Sequence, residues 1–155
     1  MFVTSRIHEE GLAPRTRKRN VARVLLADGD LASRLTLKTL LSTAGYAVDG
    51  AATASEAITL LDTTEYQLVL ADLRTESEEA GPRLLAYARQ KDFRPATALI
   101  SSRMSEMNVG FAADYSADSV VRMSDENVSY LLARVAELIS HRADRRIQRS
   151  LRKVS

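Results

Sequence analysis

Five side chains carry most of the chemistry open to this sequence. They are Asp28 and Asp30, which flank Gly29; Asp72, 44 residues after Asp28; and Ser101 and Ser102, the first of them 29 residues beyond Asp72. They offer carboxylates and hydroxyls and nothing softer. With no Cys and two His in 155 residues, the chain has no thiolate nucleophile, no Cys-ligated zinc, no disulfide framework and no His-rich metal site. His8 and His141 each lack a neighbouring ligand or base in the sequence and read as surface residues. No Gly-rich phosphate loop and no nucleophile–base pair is present, so a conventional enzyme is not expected. Taken singly, Asp28 and Asp30 only end a strand and cap a helix, Asp72 is a loop acid, and the two serines are turn residues. Their interest lies in the elements that hold them.

Val24-Leu25-Leu26-Ala27 is a short apolar run suited to a strand buried on both faces, and it stops at Asp28-Gly29-Asp30. Leu31, Leu35, Leu37, Leu40, Leu41 and Ala44 then recur at mainly helical spacing, with Asp30 placed to cap and Gly45 at the far end. A weaker strand follows over residues 46–52, with Gly50 as a blemish. Thr53-Ala54-Ser55-Glu56 reads as a capping box opening a second helix. The run from Tyr66 to Ala71 is a second buried strand that ends on Asp72. A loop with Glu76, Glu78 and Glu79 leads to Pro82, which is placed to be the first residue of a third helix. Residues 96–100 form another buried strand and lead into Ser101 and Ser102. A poorly patterned fourth helix is expected around Met104 to Tyr115, a fifth strand over 119–123, and a fifth helix opening at Ser124 with Val128, Leu131, Leu132, Val135, Leu138 and Ile139 on one face.

Five strands alternating with five helices predict an α/β fold, a five-stranded parallel sheet doubly wound in the flavodoxin-like manner. Residues 1–20 read as a basic N-terminal extension, 21–140 as the domain, and 141–155 as a basic C-terminal helix extension or tail. In such sheets function sits at the carboxyl ends of the strands, where Asp28, Asp30, Asp72, Ser101 and Ser102 fall.

The strings Val24-Leu25-Leu26-Ala27-Asp28-Gly29-Asp30 and Leu68-Val69-Leu70-Ala71-Asp72-Leu73-Arg74, in this order and at this spacing, resemble the receiver domain of two-component response regulators over about residues 21 to 140. The resemblance implies signalling by phosphorelay. Asp72 would accept a phosphoryl group from a histidine kinase or phosphotransfer protein. Mg²⁺, if bound, would be held by Asp28, Asp72 and the backbone carbonyl of Arg74. Ser101 would be the switch hydroxyl, with Ser102 one step away. A downstream protein partner would use the face made by the fourth helix, fifth strand and fifth helix.

The departures from the family pattern bear on the chemistry. Gly29 stands where a second adjacent acid is usual, so Asp30 would serve only if the turn were remodelled. The usual Lys after strand five falls on Met123, and the aromatic switch position falls on Val120. Glu76, Glu78 and Glu79 add negative charge beside an incoming phosphoryl group. Atypical or impaired phosphorylation is therefore expected, with a phosphate-independent interaction or dimerisation module of the same fold as the alternative.

Charge is distributed unevenly. Residues 1–23 carry six basic and two acidic residues, 24–140 ten basic and seventeen acidic, and 141–155 six basic and one acidic, a balance of +4, −7 and +5 that sums to +2. The basic tail is open to non-specific contact with DNA, to an acidic partner surface, or to a homodimer contact through Leu138, Ile147, Leu151 and Val154. Nucleic acid is not expected, because the body leaves no room for a helix-turn-helix output domain. No apolar run approaches the roughly 20 residues of a membrane span, and a cytoplasmic location is expected.

Overall fold

A computed structural model of the chain describes residues 21–72, 76–101, 119–122 and 128–154. The elements are β1 (Arg23–Asp28), α1 (Leu31–Thr43), β2 (Ala47–Ala51), α2 (Ala54–Thr63), β3 (Leu68–Asp72), α3 (Ala80–Arg89), β4 (Ala96–Ser101), β5 (Ser119–Arg122) and α4 (Val128–Val154). The strands form one parallel sheet in the order β2-β1-β3-β4-β5. The N-terminal extension, Arg74, Ser102, Met123, Ser124 and the helix expected around 104–115 lie outside the described residues.

Strand alternation divides the core in two. Leu25, Ala27, Val69, Ala71 and Leu99 point to one face of the sheet and pack with Ala57, Leu61, Leu84, Leu85 and Ala88 of α2 and α3. Val24, Leu26, Leu68, Leu70, Ala98 and Ile100 point to the other and pack with Leu37, Leu41, Leu131, Val135 and Leu138 of α1 and α4. Every residue of the interior strand β1 after Arg23 is buried, which is why its sequence is a continuous apolar run rather than an alternating one.

Local signals explain the helix ends. Asp30 caps α1 by accepting a hydrogen bond from Ser33 N at 2.9 Å, and Gly45 leaves the helix at φ 106°, a left-handed conformation that suits glycine. Thr53 Oγ1 accepts from Glu56 N at 3.1 Å, while the Glu56 carboxylate reaches back to Ala52 N at 2.8 Å, so the box closes one residue earlier than its usual form.

Two expectations are corrected and one open alternative is closed. α3 begins at Ala80, and Pro82 is its third residue; the ring is tolerated there because N–H groups in the first turn have no intrahelical acceptor. α1 buries Leu37 and Leu41 but leaves Leu31 and Leu35 more than half exposed, at 59% and 54%. Of the two forms open to the residues after Ser140, the helix extension is the one found: α4 runs unbroken to Val154.

Candidate functional site

The strand order reverses between β1 and β3: β2 lies outside β1 on one side, while β3, β4 and β5 follow on the other. A crevice opens at the carboxyl ends of strands at such a switch point. Asp28 and Asp72 are the last residues of these two strands and are register partners, so their side chains leave the sheet on the same face. Gly29 N donates to Asp72 O at 3.3 Å and ties the two strand ends together.

Asp28 is 2% exposed. Its Oδ1 accepts from Asp30 N at 2.9 Å, while Oδ2 is buried without a hydrogen-bond partner. Burial raises the carboxyl above the ordinary range, the Asp30 N–H partly offsets this, the nearby charge of Asp72 raises it further, and the Ser33 hydroxyl opposes the rise. A buried anionic oxygen that the protein leaves unpaired suits a hard cation. Asp72 is half-buried.

Asp30 does not join this pair. Its carboxylate caps α1 and is exposed, so the acid one residue past Gly29 is engaged on the helix rather than turned toward Asp72. No group of three or more Asp, Glu, His or Cys that could hold a metal occurs among the described residues. The acidic loop is also less hostile than its sequence suggests. Glu76 Oε1 accepts from Ala54 N at 3.0 Å, at the positive end of α2, and Glu79 pairs with Arg83 at 3.0 Å.

Ser101 is the last residue of β4, with its backbone paired to Arg122 of β5. Ala71 pairs with Leu99, which sets Ser101 one step beyond the level of Asp72. The backbones of Asp28, Asp72 and Ser101 thus share one edge of the sheet.

Arg34 was not singled out in the sequence. Its Nη1 donates to the backbone oxygen of Asp28 at 2.7 Å from the second turn of α1. Gly50 makes room for it: a Cβ there would stand 3.3 Å from Arg34 Cδ and 3.5 Å from Cγ. The weak point of β2 is therefore a seat for the Arg34 stem, and a Gly in a strand opposite a long side chain one helix away was the available signal.

Residues 24–126 match the response regulator receiver domain family. Among solved structures, a receiver domain protein of the CheY-like type from Methanospirillum hungatei aligns with TM-score 0.67 and 24% identity over 81% of this chain and 98% of that one. The response regulator TrrA from Thermotoga maritima, solved with Mg²⁺-BeF, aligns with TM-score 0.64 and 23% identity over 76% and 99%. NtrX from Brucella abortus, solved with ADP, aligns with TM-score 0.75 and 19% identity over 86% of this chain but 29% of its own. At these identities the likeness is one of fold. A search of the curated proteins gives no significant match.

Proposed function

The chain belongs to the response regulator receiver domain family, and from that premise we propose that it is a phosphorelay receiver whose acceptor is Asp72. The observation that carries this reading is the register pairing of Asp72 with a buried Asp28 whose Oδ2 has no protein partner. In the reaction an Asp72 carboxylate oxygen attacks the phosphorus of a phosphohistidine on a kinase or phosphotransfer protein, and the nitrogen–phosphorus bond breaks.

Two negative groups must meet in that step, and a bound Mg²⁺ would neutralise part of their charge. Asp28 and Asp72 fit such an ion, with Arg74 supplying its carbonyl by position in the sequence. Mg²⁺ commonly takes one or two carboxylates and keeps several waters, so this set suffices for a loose site. Asp30, held in its cap, adds no ligand, and the missing acid at Gly29 makes metal binding weak and phosphorylation slow. Ser101 or Ser102 would receive the phosphoryl oxygens. Leu31 and Leu35, one turn apart and exposed on the helix that starts beside the two acids, give a kinase or phosphotransfer helix an apolar contact.

A phosphate-independent interaction module is the second reading, and the capping role of Asp30 favours it. Backbone amide titration separates the two. With Mg²⁺ and beryllofluoride together, the receiver reading predicts shifts around residues 28–30 and at Asp72 that saturate only at high metal concentration. No response at any concentration would leave the second reading.

A further inference from the structure

The arginines beyond Ser140 are fastened to the body. α4 follows β5 and returns along the sheet to the loop that precedes β4, at the end opposite Asp28 and Asp72. There Arg142, 8% exposed, donates from Nη2 to Phe93 O at 2.8 Å and from Nε to Arg94 O at 3.2 Å, and Arg146 Nη1 reaches Phe93 O at 3.3 Å. Arg94 adopts a left-handed conformation at φ 42°, the one non-glycine residue to do so among those described, and its own side chain is exposed at the same end.

Leu131, Val135 and Leu138 mark the stripe of α4 that faces the sheet. Steps of four, four, three and four residues from Leu138 carry the same stripe through Arg142, Arg146, Arg149 and Lys153. The buried apolar stripe therefore turns basic where the body ends. From Arg142 to Lys153 the helix carries six basic residues and one acid, Asp144, over about 17 Å at 1.5 Å per residue. The guanidinium groups lie close to one another. After burial, the largest influences on Arg142 are Arg146, Arg145 and Arg149, with Glu65 opposing them, and those on Arg149 are Arg94, Arg146, Arg145 and Arg152, all disfavouring the charged form. Like charges from two separate elements are thus gathered in one place.

An anion that answers this arrangement has repeated charges at short regular spacing and oxygens suited to the guanidinium groups of Arg94, Arg146 and Arg149, with Lys153 further along the stripe. The stripe lines the inner wall of the step between the helix and the end of the body. A phosphodiester backbone supplies such charges along a line. Among the described residues no exposed aromatic lies among the arginines, and Phe93 is buried, so these residues offer no stacking for unpaired bases. We propose that this step binds the phosphate backbone of duplex nucleic acid without reading its sequence. The site is independent of whether Asp72 accepts phosphate, and of the alternatives the basic tail left open it takes up non-specific contact with nucleic acid rather than an acidic protein surface or a homodimer.

Fluorescence anisotropy of the full chain with short labelled duplexes of two unrelated sequences tests this. Equal affinity for both is expected, and contact with about four phosphates gives a slope of about −3.6 for log K against log salt. Arg94→Asn, Arg146→Gln and Arg149→Gln combined should flatten that slope by about 2.7 and weaken binding at least tenfold at about 50 mM salt. Thermal melting shows whether the variant stays folded; should it not, Arg149→Gln alone should flatten the slope by about 0.9. No binding at low salt, an unchanged slope in a folded variant, or binding to phosphatidylglycerol vesicles in place of duplex would overturn the proposal.

Discussion

Asp28→Asn should stabilise the protein when no metal is present. The wild-type carboxylate is buried, one of its oxygens lacks a partner, and a second carboxylate is its register neighbour. A buried polar oxygen left unsatisfied costs about 1–3 kcal/mol, and more when charged. Asparagine keeps the acceptor for Asp30 N and removes the charge, so a gain of about 1–2 kcal/mol at neutral pH is expected, or a rise in Tm of about 3–8 °C. The pH dependence follows from the raised carboxyl. Because the folded protein holds this proton more tightly than the unfolded chain, ionised Asp28 costs stability above its folded pKa, and that cost fades as pH falls toward the unfolded value of about 3.9. The advantage of the variant should therefore be full at neutral pH and vanish in acid. Mg²⁺ should narrow it from the other side: at ten times Kd the metal stabilises the wild type by about 1.4 kcal/mol, and the variant by less. Denaturant melts across pH, with and without Mg²⁺, measure all of this. A variant less stable than wild type, or a difference indifferent to pH, would refute the reasoning.

Other residues separate packing from chemistry. Asp30→Ala removes the α1 cap and should cost about 1 kcal/mol in a urea melt while leaving Mg²⁺ affinity, read by amide titration, unchanged. Arg34→Met should lose the bond to Asp28 O and about 1–2 kcal/mol, with faster amide exchange at the β1–α1 turn. Arg142→Met leaves the Phe93 and Arg94 carbonyls short of donors and should cost about 2–4 kcal/mol by denaturant melt, with the end of α4 fraying by helical circular dichroism. Leu31→Ser with Leu35→Ser should leave stability within about 0.5 kcal/mol and slow phosphotransfer from a cognate kinase several-fold.

The buried strands were plain in the sequence because a central parallel strand has water on neither face. Leu68-Val69-Leu70-Ala71 can be little else when a turn acid follows it. Asp30 and Thr53 were legible as caps because capping is a local bond between residues three apart. What sequence reading missed depends on contacts between distant segments. Helical spacing placed Leu31 and Leu35 with the core leucines, yet among the described residues nothing packs over the first turns of α1 to cover them. Glu76 looked like free charge until α2 brought the N–H of Ala54 to it, 22 residues away in the chain. The buried pairing of Arg142 with the loop before β4 spans 49 residues and left no local trace. Asp28 and Asp72 could be set apart as candidates from spacing, but their register, and the orphaned oxygen between strand ends, required the sheet.

The central claim is that Asp72 takes the phosphoryl group. Intact mass of the full chain after incubation with a small phosphodonor and Mg²⁺, beside an Asp72→Asn variant, tests it most directly. A slow gain of one phosphoryl mass by the wild type and none by the variant is the result the account predicts. An equal gain in the variant, or no gain by the wild type even when a cognate kinase supplies the phosphate, would contradict it.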